Sequence, residues 1–394
     1  MRRLILQITF MNRKLIYLSF TRLTDKISRD WYIDYAIEKG GVVEYWDIVS
    51  LVREKHDEKG DLDVDYLRYL KTYQEFEALV RQPENQDAVY VMLISYSGRF
   101  SKPFRLLSKY NCKTVFLNWG AMPTTAPAPR WQRIIYRFFT KPVNFVITVV
   151  DEILGIAYRK LNVVKRFDIV FTAGQAVTLA PQYARKVVPF NLCDFDQYTL
   201  VRLTNERTVQ GRYAVYLDQN LPHHTDFALS GMRTVGSKSH FKSLCRFFRL
   251  IEDAYGIKIV IALHPKTDCG SEEFEGRETY RLLTAELVKN AECVITHTST
   301  ALSYAILSLK PTLLIYTDEM LSIYKSTVVR QIQSLASYLN IKAYNVDHVT
   351  DGSQVNILPP DRKRYDAYKY SYITSHQSEN TSSAEIFWRE INAL

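Results

Sequence analysis

Cysteine is scarce in this chain. There are five in 394 residues (Cys112, Cys193, Cys245, Cys269 and Cys293), and no two stand in a CxxC pair. An odd number without that spacing argues against a disulfide framework and against a structural zinc site, and a reducing cytoplasm fits best. Long apolar runs are missing too. A membrane-spanning helix needs about 18 or more uninterrupted apolar residues, and the nearest stretch, VNFVITVVDEILGIAY, is broken by Asp151 and Glu152. The amino-terminal MRRLILQITFMNRK has only a short apolar part and no small-residue cleavage site, so no secretion signal is expected. Neither a P-loop nor GxGxxG, HExxH or GxSxG occurs. ATP hydrolysis, hydride transfer and serine hydrolysis therefore lack their usual supports.

What is present is the material of a large globular protein. At 394 residues with 47% hydrophobic and 24% charged residues, the chain exceeds the size of one hydrophobic core, and two domains of roughly 150 to 200 residues are expected. The net charge of +9 arises from 51 basic against 42 acidic residues. Such a mild, dispersed excess suits a phosphate-bearing substrate or an anionic membrane surface, and nucleic acid needs more than this to support it.

Strand and helix signals alternate along the first half. KLIYLSF (14 to 20), VVEYWDI (42 to 48), AVYVMLIS (88 to 95), CKTVFLNWG (112 to 120) and FDIVFTAG (167 to 174) read as strands. Helices are expected over 28 to 41, over VDYLRYLKTYQEFEALV (64 to 80) and over about 102 to 109. The second half repeats the theme. RYAVYLD (212 to 218), IKIVIAL (257 to 263), ECVITH (292 to 297) and TLLIYT (312 to 317) are strand-like, with helices over 237 to 256, 278 to 290 and 299 to 310. This predicts an α/β protein of two Rossmann-like, doubly wound domains facing across a cleft. The boundaries are placed at 1 to 200 for the first domain and 201 to 375 for the second. A carboxyl-terminal helix in 376 to 394 is expected to pack back on the first domain. The polar stretch 191 to 211 reads as the linker.

In open α/β sheets ligands sit beyond the carboxyl ends of the strands, and polar residues gather there. Asp218, in YLDQNLPHHTD, directly follows a strand, where a carboxylate can take a proton from an attacking sugar hydroxyl; a turn or a helix cap is the other account. His223, His224 and Asp226 in the same stretch lack a further ligand set, so no metal site is expected. In LHPK, Pro265 ends the strand, and His264 and Lys266 can meet the phosphate of a departing nucleotide. Thr296-His297-Thr298-Ser299-Thr300 gathers hydroxyls and an imidazole before a helix, an anion site beyond what a simple cap requires. In the first half NWGAMPTTAPAPRW (118 to 131) suits an acceptor-side loop. The following segment mixes Arg130, Arg133, Arg137 and Lys141 with Trp131, Tyr136, Phe138 and Phe139, a pattern that suits docking on an anionic leaflet or packing as a helix pair.

The order LDQ, HPK, hydroxyl cluster, SLKPTLLIY resembles the carboxyl-terminal half of bacterial GT-B glycosyltransferases of surface polysaccharide synthesis. It is similar in particular to bacterial sialyltransferases and Kdo transferases, over roughly Tyr213 to Thr317. The resemblance implies a GT-B fold, with 1 to 200 as the acceptor-binding domain and 201 to 375 as the nucleotide-sugar-binding domain, and a CMP-activated sugar donor. It implies Asp218 as the general base, His264 and Pro265 as the motif that meets the CMP phosphate, and Ser299 with Thr298 or Thr300 as phosphate-binding hydroxyls. Where the sialyltransferase motif has paired carboxylates followed by glycine, this chain has Asp218-Gln219-Asn220.

The expected activity is an inverting, metal-independent glycosyl transfer, with no cofactor beyond the nucleotide-sugar donor, to a lipid-linked bacterial surface glycan such as O-antigen or capsule. The donor is a CMP-linked nonulosonate or Kdo-type sugar, with a UDP- or GDP-sugar, or CDP-glycerol-type polyol phosphate transfer, as alternatives. The expected location is cytoplasmic and peripheral, at the inner face of the membrane. A basic membrane- or nucleic-acid-binding scaffold is the non-enzymatic alternative. No nucleic-acid partner is expected, because the basic residues form no single stripe.

Overall fold

A computed structural model describes residues 13–52, 62–123, 142–176, 183–223, 233–265, 267 and 269–394. In the first lobe seven strands follow one another: β1 (Lys14–Ser19), β2 (Val42–Asp47), β3 (Leu67–Tyr69), β4 (Val89–Met92), β5 (Lys113–Asn118), β6 (Phe167–Ala173) and β7 (Ala184–Phe190). They lie in the order β3-β2-β1-β4-β5-β6-β7, all parallel. The second lobe has β8 (Tyr213–Leu217), β9 (Lys258–Ala262), β10 (Thr279–Tyr280), β11 (Cys293–Thr296), β12 (Thr312–Tyr316) and β13 (Ala343–Asn345). Their order is β10-β9-β8-β11-β12-β13, again all parallel. Both sheets reverse their winding beside the first strand of the lobe, which is the doubly wound Rossmann order. Two such lobes facing across a cleft are the GT-B architecture.

Parallel strands covered on both faces must be apolar throughout rather than in alternation, and β4, β6, β8 and β11 are buried at every residue. The long helix Ser237–Tyr255 forms as its spacing predicts. Its apolar residues face the second sheet and Gly256, in the left-handed conformation (φ +60°), ends it.

Two expected helices contain strands. The stretch 64 to 80 divides into β3, an edge strand on β2, and the helix Tyr73–Val80, whose Thr72 cap accepts from Glu75 N. The stretch 278 to 290 divides likewise into β10 and the helix Thr284–Asn290. Edge strands of two or three residues are too short to impose a period of two on the sequence.

The chain crosses between lobes at both ends of the second sheet. After β13 it returns to place Ile386, Phe387, Trp388 and Ile391 of the helix Ser383–Asn392 in the apolar core of the first lobe. On the way, residues 369–373 lie along the end of β6. Gln175 N donates to Tyr370 O (3.0 Å) and Ala176 N to Ser371 O (2.9 Å). Gly174 has φ +73°, and a Cβ there would strike the Ser371 carbonyl. Gly174→Ala is therefore expected to destabilise the protein by at least about 2 kcal/mol, read as a lower urea midpoint; an unchanged midpoint would show that this crossing bears no load. Among the described residues no helix is long and apolar enough to cross a membrane.

Candidate active site

Between the lobes lies a cavity of about 530 Å³. The second lobe contributes the carboxyl ends of its central strands: Asp218 after β8, His264 and Pro265 after β9, Ser299 and Thr300 after β11. Gap and strands meet where the winding of the sheet reverses, the general position of ligands in such folds. The first lobe contributes Lys26 and Arg29 from the helix Asp25–Asp30, which follows β1, and Asp194 and Gln197 come from the helix Cys193–Val201, which follows β7.

Asp218 is only 6% exposed. Its Oδ1 accepts from Asn220 N (2.9 Å) and its Oδ2 from His264 N (3.3 Å). The carboxylate thus ties the loop after β8 to the loop after β9 and fixes the backbone of the histidine. The turn is tight, with Asn220 at φ +49°. Burial raises the Asp218 pKa above the usual carboxylate range, against the backbone N–H groups of Asn220, His264 and Gln219, which favour the charged form. His264 is half-buried and Pro265 exposed, both on the cavity wall.

The Thr-His-Thr-Ser-Thr cluster divides into three. Ser299 and Thr300 line the cavity, and Ser299 Oγ accepts from Ala301 N (3.2 Å). Thr298, expected among the phosphate-binding hydroxyls, does not line it. Its N–H donates to Gln219 Oε1 (2.8 Å) and its Oγ1 accepts from Gln219 Nε2 (3.3 Å), a clamp between the ends of β8 and β11. Thr296 and His297 are fully buried and belong to the core. His297 Nδ1 donates to the Ile315 carbonyl (2.7 Å), which leaves Nε2 to accept from Tyr216 OH (3.0 Å). Burial pushes its pKa down to about 4. The helix that follows is also shorter than expected, Leu302–Leu307, with no side-chain cap. The site therefore presents hydroxyls on a loop rather than a long helix amino terminus.

Lys266, His224 and Asp226 lie outside the described residues, as do 124 to 141, which include most of the expected acceptor-side loop and of the basic and aromatic segment. Among the described residues no cluster of three His, Cys, Asp or Glu side chains is placed to hold a metal ion.

The first-lobe wall carries a charge cluster of its own. Lys26 and Arg29 both pair with Asp30, Arg29 Nε at 2.9 Å from Oδ1, so two cations share one carboxylate beside the cavity. Asp194 accepts from Ser303 Oγ. Burial raises its pKa, while Ser303 and Lys26 favour its charged form. Asp194 and Gln197 fall in the stretch read as linker, which in fact carries a helix. The signal in sequence is weaker than at Asp218, which directly follows β8, since Lys26 and Arg29 stand seven and ten residues beyond the end of β1.

With this geometry in view, comparison with known proteins adds the following. No protein-family model and no curated protein sequence matches the chain. Solved structures do. It is similar to the glycotransferase of kitacinnamycin, with 11% identity over 96% of this chain and 100% of that one and a TM-score of 0.48. It is similar to MnaA of S. aureus in co-structure with UDP, with 13% identity over 96% of each chain and a TM-score of 0.48. It is also similar to the UDP-GlcNAc 2-epimerase of Methanocaldococcus jannaschii in complex with UDP-GlcNAc and UDP, with 11% identity over 98% and 100% and a TM-score of 0.46. Identities of 11 to 13% do not transmit chemistry, so function is read from the cavity.

Proposed function

We propose that the protein is an inverting, metal-independent glycosyltransferase that takes its sugar from a nucleotide donor bound between the lobes. One observation carries this reading: Asp218, His264, Ser299 and Thr300, far apart in the chain, border a single cavity whose opposite wall holds Lys26 and Arg29. A departing nucleotide phosphate needs its growing charge met by fixed donors and cations. His264, Ser299 and Thr300 supply donors from one side, and Lys26 and Arg29 supply cations from the other.

In the proposed step the acceptor hydroxyl gives its proton to Asp218. Its oxygen forms a bond to the anomeric carbon as the bond from that carbon to the phosphate oxygen breaks, and the phosphate leaves with the electron pair. A single displacement inverts the anomeric configuration. The two backbone N–H groups on Asp218 hold the carboxylate in place before the acceptor arrives, so little reorganisation is left for the reaction.

The finer assignments belong to the same proposal. The donor is a CMP-activated nonulosonate or Kdo-type sugar, by the resemblance of the LDQ, HPK and hydroxyl motifs. The acceptor is a lipid-linked surface glycan reached from the inner face of a bacterial membrane, where the protein sits peripherally, and no cofactor beyond the donor takes part. The test is to incubate the protein with CMP-sialic acid, CMP-Kdo, CDP-glycerol, UDP-sugars and GDP-sugars and identify the released nucleotide. CMP release supports the full reading. UDP or GDP release keeps the transferase and replaces the donor, whereas CMP released from CDP-glycerol moves the chain to polyol phosphate transfer. Salt-sensitive binding of DNA or vesicles with no nucleotide bound at all would overturn the enzyme.

A further inference from the structure

The helix Pro142–Lys160 is built inside out. An amphipathic helix on a sheet ordinarily turns its apolar stripe inward. Here, from residue 151 onward, the side toward the first lobe is polar or bare. Gly155 is buried against Gly98, Asp151 accepts from Arg99 N, Tyr96 OH donates to the Gly155 carbonyl (2.8 Å), and Arg159 lies over the Tyr96 and Tyr183 rings (4.1 and 4.4 Å). Among the described side chains, the large apolar residues that point to solvent are Val146 (55% exposed), Val150 (47%), Ile153 (60%), Leu154 (38%), Ile156 (52%) and, just past the helix, Leu161 (73%). Positions 146, 150, 153, 157 and 161 recur at three and four residues, so they form one continuous stripe, about 22 Å long from the rise of 1.5 Å per residue. Scattered exposed apolar residues need no explanation, but a contiguous stripe does.

At the carboxyl end of this helix the surface turns basic. A cavity of about 440 Å³ beside Asn162 and Val163 is lined by Lys102, Arg105 and Lys109, with no carboxylate on its wall. Lys109 pairs with Glu77 (2.8 Å). Lys102 and Arg105 rest on the Tyr73 and Tyr158 rings (3.9 and 4.8 Å) and form no salt bridge among the described residues. Neither cation is therefore matched by a carboxylate among the described residues, and both are open to an outside anion.

An apolar helical stripe ending in uncompensated cations matches the two layers of an anionic bilayer surface, acyl chains below and phosphates above. A protein partner would match the stripe, but it would give no general reason for a carboxylate-free basic cavity at its end. We infer that the protein docks on anionic phospholipid through this face, with the stripe of Pro142–Lys160 in the interface and Lys102 and Arg105 on lipid phosphates. This gives the membrane partner of the proposed reading a definite contact and rests on that reading for the need to reach a lipid-linked acceptor. Its experiment uses no sugar nucleotide, so either can fail alone.

The test is sedimentation of the full chain with vesicles of phosphatidylcholine alone or with roughly 30% phosphatidylglycerol. The full chain is expected to bind the anionic vesicles about tenfold more tightly than the neutral ones and to be released by high salt. Ile153→Glu, on an exposed position, is expected to weaken binding at least about tenfold with an unchanged thermal melt, and the pair Lys102→Gln, Arg105→Gln to remove most of the salt dependence. In the free protein a Val150→Cys thiol is expected to react readily with a water-soluble reagent and to become protected on anionic vesicles. Absence of vesicle binding, equal binding by Ile153→Glu, or a Val150→Cys thiol already closed in the free protein would overturn the inference; the last would show that the chain itself or a second copy covers the stripe.

Discussion

Replacing His264 by alanine is expected to lower the turnover of glycosyl transfer by about 10²- to 10⁴-fold, the range for a group that donates to a reacting centre. The loss is expected in kcat more than in KM, since the imidazole's contact with the phosphate strengthens only as charge leaves with the nucleotide. The fold should survive the change. His264 is half-buried on a cavity wall, and its loop is held by the Asp218 carboxylate through the backbone N–H, which alanine keeps. A thermal melt within about 2 °C of the parent separates chemistry from damage. Asp218→Asn supplies the complementary reading. Because burial raises the Asp218 pKa, the rate of the parent should fall with decreasing pH at a point above the usual carboxylate range, as the base becomes protonated. That acid limb should vanish with the residual activity of the asparagine variant. Near-normal turnover in His264→Ala would remove the imidazole from the mechanism.

The second large effect concerns stability. His240 is 2% exposed, neither ring nitrogen has a hydrogen-bond partner among the described residues, and its ring lies 5.8 Å from that of His297, centroid to centroid. Burial, with the neighbouring His297 adding to it, pushes the His240 pKa down to about 3, and burial pushes that of His297 to about 4, from an ordinary 6.5. Both folded-state values lie below the unfolded one, so the unfolded chain binds the protons. The stability these rings contribute as neutral groups is complete above pH 6.5 and is lost as the pH falls toward 4. Each shift corresponds to roughly 3 to 5 kcal/mol at its limit, a large part of the 5 to 15 kcal/mol typical of a whole domain. Urea midpoints measured from pH 7 to pH 4 should therefore drop steeply below about pH 6. His240→Leu removes two unsatisfied nitrogens from an apolar site, so it should raise the midpoint at neutral pH and flatten the acid decline by about half. A parent protein whose midpoint holds level across this range would refute the account.

Both predictions arise from residues that one sequence pattern did not separate. Two histidines at strand ends, His264 and His297, look alike in sequence. What divides them is direction. His264 follows β9 by two residues and borders the gap, whereas His297 follows β11 by one and turns into the sheet's covered face toward Tyr216 and Ile315. Period-two alternation decides this, and a single step in register moves a side chain from ligand to core. The strands themselves were legible because burial on both faces writes a continuous apolar run. β7 escaped notice because Lys186 and Val187 are exposed on an edge, and β3 because it has three residues. Asp194 was hidden by composition, since a polar helix bordering a cavity has the same residue content as a linker. The helix Pro142–Lys160 shows the opposite failure. Its period is plain in the sequence, but the period alone does not say which way the stripe points.

The carboxyl-terminal helix has a consequence for how the molecule is made. Every strand of the second sheet lies within one uninterrupted stretch, from Tyr213 to Asn345, whereas the first sheet borrows Phe387, Trp388 and Ile391 from the far end of the chain. As the polypeptide leaves the ribosome, the lobe synthesised second has all its strands before the lobe synthesised first has its last apolar ring. The lobe translated before the other is thus sealed after it, and loss of residues 383–394 would leave an unfilled hollow in its core.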